Sequence, residues 1–154
     1  MNFLKRIIKR IIFLFYKLFL KCDPYFFQKN KKIIIFDIDN TLANTWPTLV
    51  KSDLKNEKER LLSLKLIEGA KELVEFSINN YDQIFFLSAR NPYYYRTTKK
   101  WIINNFGNFS FKLRLVPNAS LKIIYWSYLS KISKKIVVLD DLSYNHENNN
   151  IKYY

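Results

Sequence analysis

Glycine occurs only twice in these 154 residues, at Gly69 and Gly107. That excludes the glycine-rich phosphate loops GxxxxGK[ST] and GxGxxG, and with them the usual nucleotide-kinase and dinucleotide-binding designs. The single cysteine, Cys22, excludes an internal disulfide framework and fits a reducing compartment. The single histidine, His146, excludes an HExxH zinc site and any histidine-rich metal centre. Long apolar runs are missing too. The longest, residues 11–16, ends at Lys17 and falls far short of the ~18 residues of a spanning helix. No small-x-small cleavage pattern follows it, and Phe19-Leu20-Lys21 before Cys22 lacks the small residues of a lipoprotein signal.

Hydrophobic and aromatic residues are abundant, at 49% and 18%. This composition belongs to a folded chain, and the length suits one domain with a core of large rings. A formal net charge of +13 draws the chain towards polyanions such as nucleic acid, anionic lipid or phosphorylated polymers. Nearly half of that excess lies in Lys5, Arg6, Lys9, Arg10, Lys17 and Lys21, and the first 21 residues contain no acid. The spacing of Phe3, Leu4, Ile7, Ile8, Ile11, Leu14, Phe15 and Leu18 predicts a helix over 1–21 with one apolar face and the cations opposite. Such a helix fits an anionic membrane surface, and the alternative is docking on this chain or on a partner. Residues 22–32, with Pro24 and the run Lys29-Asn30-Lys31-Lys32, read as a linker, and 33–154 as the main domain.

Within that domain short apolar runs alternate with helical patterns. Strands are expected at 33–36, 84–87, 111–116 and 136–139, and helices over 52–66, 69–79, 93–106 and 119–131, with Gly107 as a C-terminal stop. In 69–79 the apolar positions are Ala70, Leu73, Val74, Phe76 and Ile78. Residues 145–150 are polar turn material, and 151–154 could add a small strand. The alternation predicts an α/β fold, a Rossmann-like parallel sheet with helices on both faces.

In open sheets of this kind ligands bind beyond the carboxyl ends of the strands. After the first strand stands Asp37-Ile38-Asp39-Asn40-Thr41, after the second Ser88-Ala89-Arg90, and after the last Asp140-Asp141. Four carboxylates brought to one rim repel one another unless a cation is bound, and an all-oxygen set beside phosphate favours Mg2+. Asp37 and Asp39, two apart, can share the rim only if the chain turns straight after the strand, and Asn40 and Thr41 suit that turn.

IIIFDIDNTL resembles the first motif of the haloacid dehalogenase-like superfamily, FFLSAR the second, and VVLDDL the fourth. Lys122 is the candidate for the lysine of the third motif, with Lys112 and Arg114 as nearby basic alternatives on an alternating strand face. The resemblance covers most of 33–145. LSARNPYYYRTTKKWI is further similar to the phosphatase domain of polynucleotide kinase-phosphatases through Ser88, Arg90, Arg96, Thr98 or Thr97, and Trp101, with Ala89 in place of a glycine. No kinase half lies in these residues.

The resemblance implies a Mg2+-dependent phosphomonoester hydrolase with Asp37 as nucleophile and Asp39 as general acid and base. The metal would be held by Asp37, the Asp39 carbonyl and Asp141, with Asp140 supporting it or orienting Lys122. Ser88 and Lys122 would bind the phosphoryl oxygens. An acid at position 39 favours ester hydrolysis over dehalogenation. Several of these residues have plainer readings. Asp140-Asp141 can cap a helix, Ser88 can cap a strand, and Arg90 can bind phosphate or brace its loop. Trp101 and Thr98 read as structural, and His146 as an exposed turn residue.

Only 46 residues separate Thr41 from Ser88, too few for a lid domain, so the expected site is open to polynucleotide ends, sugar phosphates or polymer-linked phosphates. The expected location is cytoplasmic, peripheral on the inner membrane face. A non-catalytic membrane-surface module and a phosphotransferase are the alternative readings.

Overall fold

The computed structural model describes residues 27–50 and 56–141, together with residues 7, 8, 10–15 and 18, all nine of which are helical. Four parallel strands form one sheet: β1 (Lys32–Phe36), β2 (Gln83–Ser88), β3 (Lys112–Leu115) and β4 (Lys135–Leu139), in the order β3-β2-β1-β4. The helices are α1 (Trp46–Val50), α2 (Glu57–Leu62), α3 (Ala70–Asn80), α4 (Tyr95–Phe106) and α5 (Lys122–Ile132). Short 3₁₀ turns, Pro92–Tyr94 and Ala119–Leu121, lead into α4 and α5.

The sheet order explains the layering. The chain steps from β1 to β2 to β3 in one direction, then returns across the sheet to β4 on the far side of β1. Right-handed crossovers place the helices of these opposite steps on opposite faces. Ile34, Phe36 and Phe86 accordingly pack with Leu61, Val74, Trp101 and Phe106 from α2, α3 and α4. Ile33, Ile35, Phe85 and Leu87 pack with Ile124, Tyr125 and Leu129 of α5. One crossover helix leaves the second face short of cover. Phe27, from the segment read as a linker, fills part of the gap with its ring edge-on to Phe85 at 4.9 Å, and Ile12 of the N-terminal helical residues packs on the same cluster.

The α/β architecture and the parallel sheet match the expectation, strand by strand, to within one or two residues. Three details differ. Among the described residues the helix expected over 52–66 is α2 alone: Asn56 caps its start by accepting from the Lys58 amide, and at Ser63 the chain turns out to pair Leu66 with Ala43. In α3 the sheet-facing residues are Ala70, Val74 and Ser77, while Leu73, Phe76 and Ile78 point to solvent. Ser77 can be buried because its hydroxyl donates to the Leu73 carbonyl at 2.7 Å. Lys112 and Arg114 are half-buried rather than exposed. The proposed turn at 145–150, His146 and the strand at 151–154 lie outside the described residues.

Both glycines take positive φ, 77° at Gly69 and 84° at Gly107, where the latter ends α4. With none to spare, asparagine takes the other left-handed positions among the described residues, Asn30 and Asn40.

Candidate active site

The step reversal between β1 and β4 opens a crevice at their carboxyl ends, the place where such sheets take ligands. Asp37 enters it straight from β1, its amide still paired to the Leu139 carbonyl at 2.8 Å. Asp140 and Asp141 follow β4. One carboxylate oxygen from each of Asp37, Asp140 and Asp141 lies within 4.8 Å of the others. Lys122, at the start of α5 and only 1% exposed, reaches across to Asp140 at 2.8 Å and to Asp37 Oδ1 at 3.0 Å. Its approach to Asp37 is an ion-pair contact off the hydrogen-bonding direction, so that buried oxygen has no hydrogen bond. Among the described residues, the Lys122 ammonium thus stands beside a cluster of three carboxylates.

Burial raises the Asp37 carboxyl to about 7, with Asp140 adding to the rise and Lys122 opposing it. Asp141 is raised by burial and then by Asp140. Burial lowers Lys122, but Asp37 and Asp140 more than offset it and keep the ammonium charged. A buried carboxylate oxygen lacking a hydrogen bond, inside an all-oxygen cluster with surplus negative charge, fits a hard divalent cation.

Asp39 lies two residues on but faces the other way. After Asp37 the chain curls into a tight turn in which the Leu42 and Ala43 amides donate to the Ile38 carbonyl and the Asn40 amide to that of Ala43. The turn aims Asp39 at β2. There the Arg90 guanidinium grips it with Nε–Oδ2 and Nη2–Oδ1 bonds of 2.8 Å each. Ser88 donates to Oδ2 at 3.1 Å and Thr45 to Oδ1 at 2.8 Å. Burial pushes this carboxyl up, but the Arg90 bonds and charge outweigh it and hold it below the ordinary carboxylate range. Arg90 is held in turn by Trp101, whose ring lies 5.9 Å below the guanidinium carbon and whose Nε1 donates to the Leu64 carbonyl at 2.9 Å. Trp101 is fully buried and Thr98 lies 3.4 Å from Arg90 Nη1, so both are structural supports, as the helical pattern suggested.

Of the four carboxylates expected at this rim, Asp37, Asp140 and Asp141 share one cluster, while the Asp39 side chain pairs with Arg90 on the β2 side. The remaining named residues, Ser88, Arg90 and Lys122, all reach the rim, and Thr41 ties its two sides by accepting from the Asp141 amide at 3.1 Å.

Thr45 was not singled out from the sequence. Thr45-Trp46-Pro47 carries a helix-start signal, which gives Thr45 a capping role. Its carbonyl does serve α1, accepting from the Thr48 amide at 3.1 Å, but its hydroxyl turns to Asp39. Arg60 was missed as well. It bridges Glu57 at 2.6 Å and the Thr48 hydroxyl at 2.9 Å, and Thr48 donates to the Thr45 carbonyl at 2.8 Å. A charged i, i+3 pair in a polar helix carries no mark of such a contact.

No protein-family model matches this chain, and neither does any curated protein sequence. Solved structures do match in fold. A chain of the Pnkp1/Rnl/Hen1 RNA repair complex superposes with a TM-score of 0.52 at 17% identity, over 73% of this chain and 36% of its own length. The class C acid phosphatase of Bacillus anthracis, a structure with tungstate bound, superposes with a TM-score of 0.55 at 14% identity, over 84% of this chain and 61% of its own. This chain thus spans less than two thirds of either neighbour, and the fold resembles theirs as its motifs resemble the haloacid dehalogenase-like superfamily.

Proposed function

We propose that this chain is a Mg2+-dependent phosphomonoester hydrolase working through an aspartyl-phosphate. The observation that carries the reading is the split rim: a buried nucleophile candidate beside a lysine and two further acids, and a second aspartate on the opposite wall. Asp37 attacks phosphorus, the ester oxygen leaves with a proton from Asp39, and the acyl phosphate on Asp37 is then hydrolysed by water that Asp39 deprotonates. Lys122 and the Ser88 hydroxyl neutralise and orient the phosphoryl oxygens. When bound, Mg2+ would be held by Asp37, Asp141 and the Asp39 carbonyl, with Asp140 in support, and would supply further charge neutralisation.

The four bonds on Asp39 bear on this scheme, since a carboxylate gripped by Arg90 is a poor acid. An incoming phosphate dianion competes for the same guanidinium, and transfer of Arg90 to the phosphate frees Asp39 to carry a proton. Arg90 then serves both readings given from the sequence, bracing the loop at rest and binding phosphate in turnover. The two fold neighbours are a named acid phosphatase and part of an RNA repair complex, which supports phosphate esters as substrates and makes polynucleotide ends one class to try.

The test is phosphate release with Mg2+ from a panel of 3′-phosphorylated oligonucleotides, nucleotides, sugar phosphates and an aryl phosphate. Asp37→Asn should lower kcat/KM on any active substrate by about a thousand-fold or more, and EDTA should abolish turnover. Release that survives either treatment removes the Asp37 and Mg2+ mechanism, and no release from the whole panel removes the reading in favour of a binding module.

A further inference from the structure

The N-terminal helical residues are seated against the direction that their pattern predicts. An amphipathic helix docking on its own domain turns its apolar stripe inward. Among the described residues, the contact with the second core is made by Ile12, at one margin of the stripe. Ile7, Ile8, Ile11, Leu14 and Leu18, which span an arc of about 120° on the helix, are exposed, with Ile11 at 59%, Leu14 at 63% and Leu18 at 63%. A soluble surface rarely presents so many contiguous large apolar side chains. In sequence the same segment carries six lysines and arginines and no acid. Apolar exposure bordered by charge of one sign is the chemistry of an anionic bilayer surface. A second copy of this chain would instead bring its own six cations against these.

We infer that residues 1–21 seat this protein on anionic lipid, the stripe of Ile7, Ile11, Leu14 and Leu18 entering the acyl boundary. None of the described helices is long and apolar enough to cross a membrane. The described helical residues also border the segment between β3 and α5. A groove of about 550 Å³ separates Arg10, Ile12 and Phe13 from Pro117, Asn118 and Leu121. These last residues join the carboxyl end of β3 to Lys122. A protein held this way would meet its substrates at the lipid surface, although the attachment itself does not depend on the catalytic reading.

The experiment is flotation of the full chain with phosphatidylcholine vesicles, with and without phosphatidylglycerol. Wild type should float with the anionic vesicles, less with the neutral ones, and less again at high salt. Ile11→Asp with Leu18→Asp should weaken anionic-vesicle binding by about tenfold or more, and Ile11→Gln with Leu18→Gln by less, while the circular dichroism spectrum of each stays that of wild type. Failure of wild type to float, or equal flotation of the aspartate pair, overturns the inference. So does a wild-type dimer in lipid-free sedimentation that the aspartate pair turns into monomer, which would assign the stripe to a second copy.

Discussion

Asp37 and Asp39 are two residues apart, yet the two walls of the rim on which they stand are built on opposite electrostatic plans. On the β4 wall, Asp37, Asp140 and Asp141 cluster, Lys122 pairs with the first two, and burial raises Asp37 and Asp141. On the β2 wall, Asp39 is alone, receives four hydrogen bonds and is lowered. The first wall gathers three carboxylate oxygens and is suited to receive a cation. The second is complete, and something must compete for Arg90 before Asp39 can exchange a proton. A single turn, made by a left-handed Asn40, delivers one carboxylate to each.

The sharpest way to break this contrast is to neutralise one residue on each wall. Arg90→Met leaves Asp39 part-buried without its counter-charge and should lower unfolding free energy in urea by about 3 kcal/mol. Arg90→Lys restores charge but not the two-pronged grip, and should recover part of that loss. Asp141→Asn on the other wall removes a carboxylate already disfavoured by burial and by Asp140, so without divalent metal its stability should equal or exceed wild type. If both neutralisations destabilise alike, the two walls are not electrostatically different.

Metal addition separates the walls next. Mg2+ at about a hundred times its dissociation constant should stabilise the protein by about 2.7 kcal/mol, read as a rise in melting temperature that EDTA reverses. Asp141→Asn should blunt the rise, whereas Arg90→Lys should leave it intact. A rise that follows Arg90 rather than Asp141 would put the cation on the wrong wall.

The sequence displays the β4 wall more openly than the β2 wall, for a physical reason. Asp37 and Asp140-Asp141 stand directly after apolar runs, and in a parallel sheet a strand end fixes its neighbours' place on the rim. Lys122 is harder to see, but a basic residue at the start of a helix preceding the last strand leaves few other choices. The bonds around Asp39 depend instead on which way a turn swings. Nothing in the order Asp39, Thr45, Arg90 says that the first will turn from its neighbouring acids to the other two. The same limit hid the face of α3, where both Leu73 and Val74 fit a helical stripe and only the crossover geometry selects Val74. It also hid the seating of Ile12, since a helical period describes a face without naming what covers it.

Thr45 measures how far the completeness of the β2 wall rests on single bonds. Thr45→Val keeps the shape and removes one donor to Asp39, and should cost about 1 kcal/mol. It should also lower kcat more than KM, because a less well-held Asp39 still permits substrate to bind. Thr45→Ser should recover both. An effect of Thr45→Val on KM alone would place the hydroxyl at the substrate instead of at Asp39.

The smallest effect should come from the outermost support of the same wall. Arg60, through its hydrogen bonds, holds the Glu57 carboxyl below its ordinary value of 4.5, and burial only partly opposes it. A folded-state value lower than the unfolded one means that the pair's contribution is fully present above the ordinary carboxylate range. It is lost as pH falls through the lowered value. Wild type should therefore exceed Glu57→Gln in stability by a constant margin at neutral pH, and the two unfolding curves should converge on acidification. Glu57 is largely exposed, so the margin is that of a surface ion pair and smaller than the Thr45 effect. Turnover should change little, because the hydrogen-bonded path from Arg60 to Asp39 runs through Thr48 and Thr45, and its direct Coulombic effect is a minor one. A margin that persists unchanged into acid would mean that Glu57 acts through packing rather than charge. A large loss of turnover would mean that the β2 wall extends as far as α2.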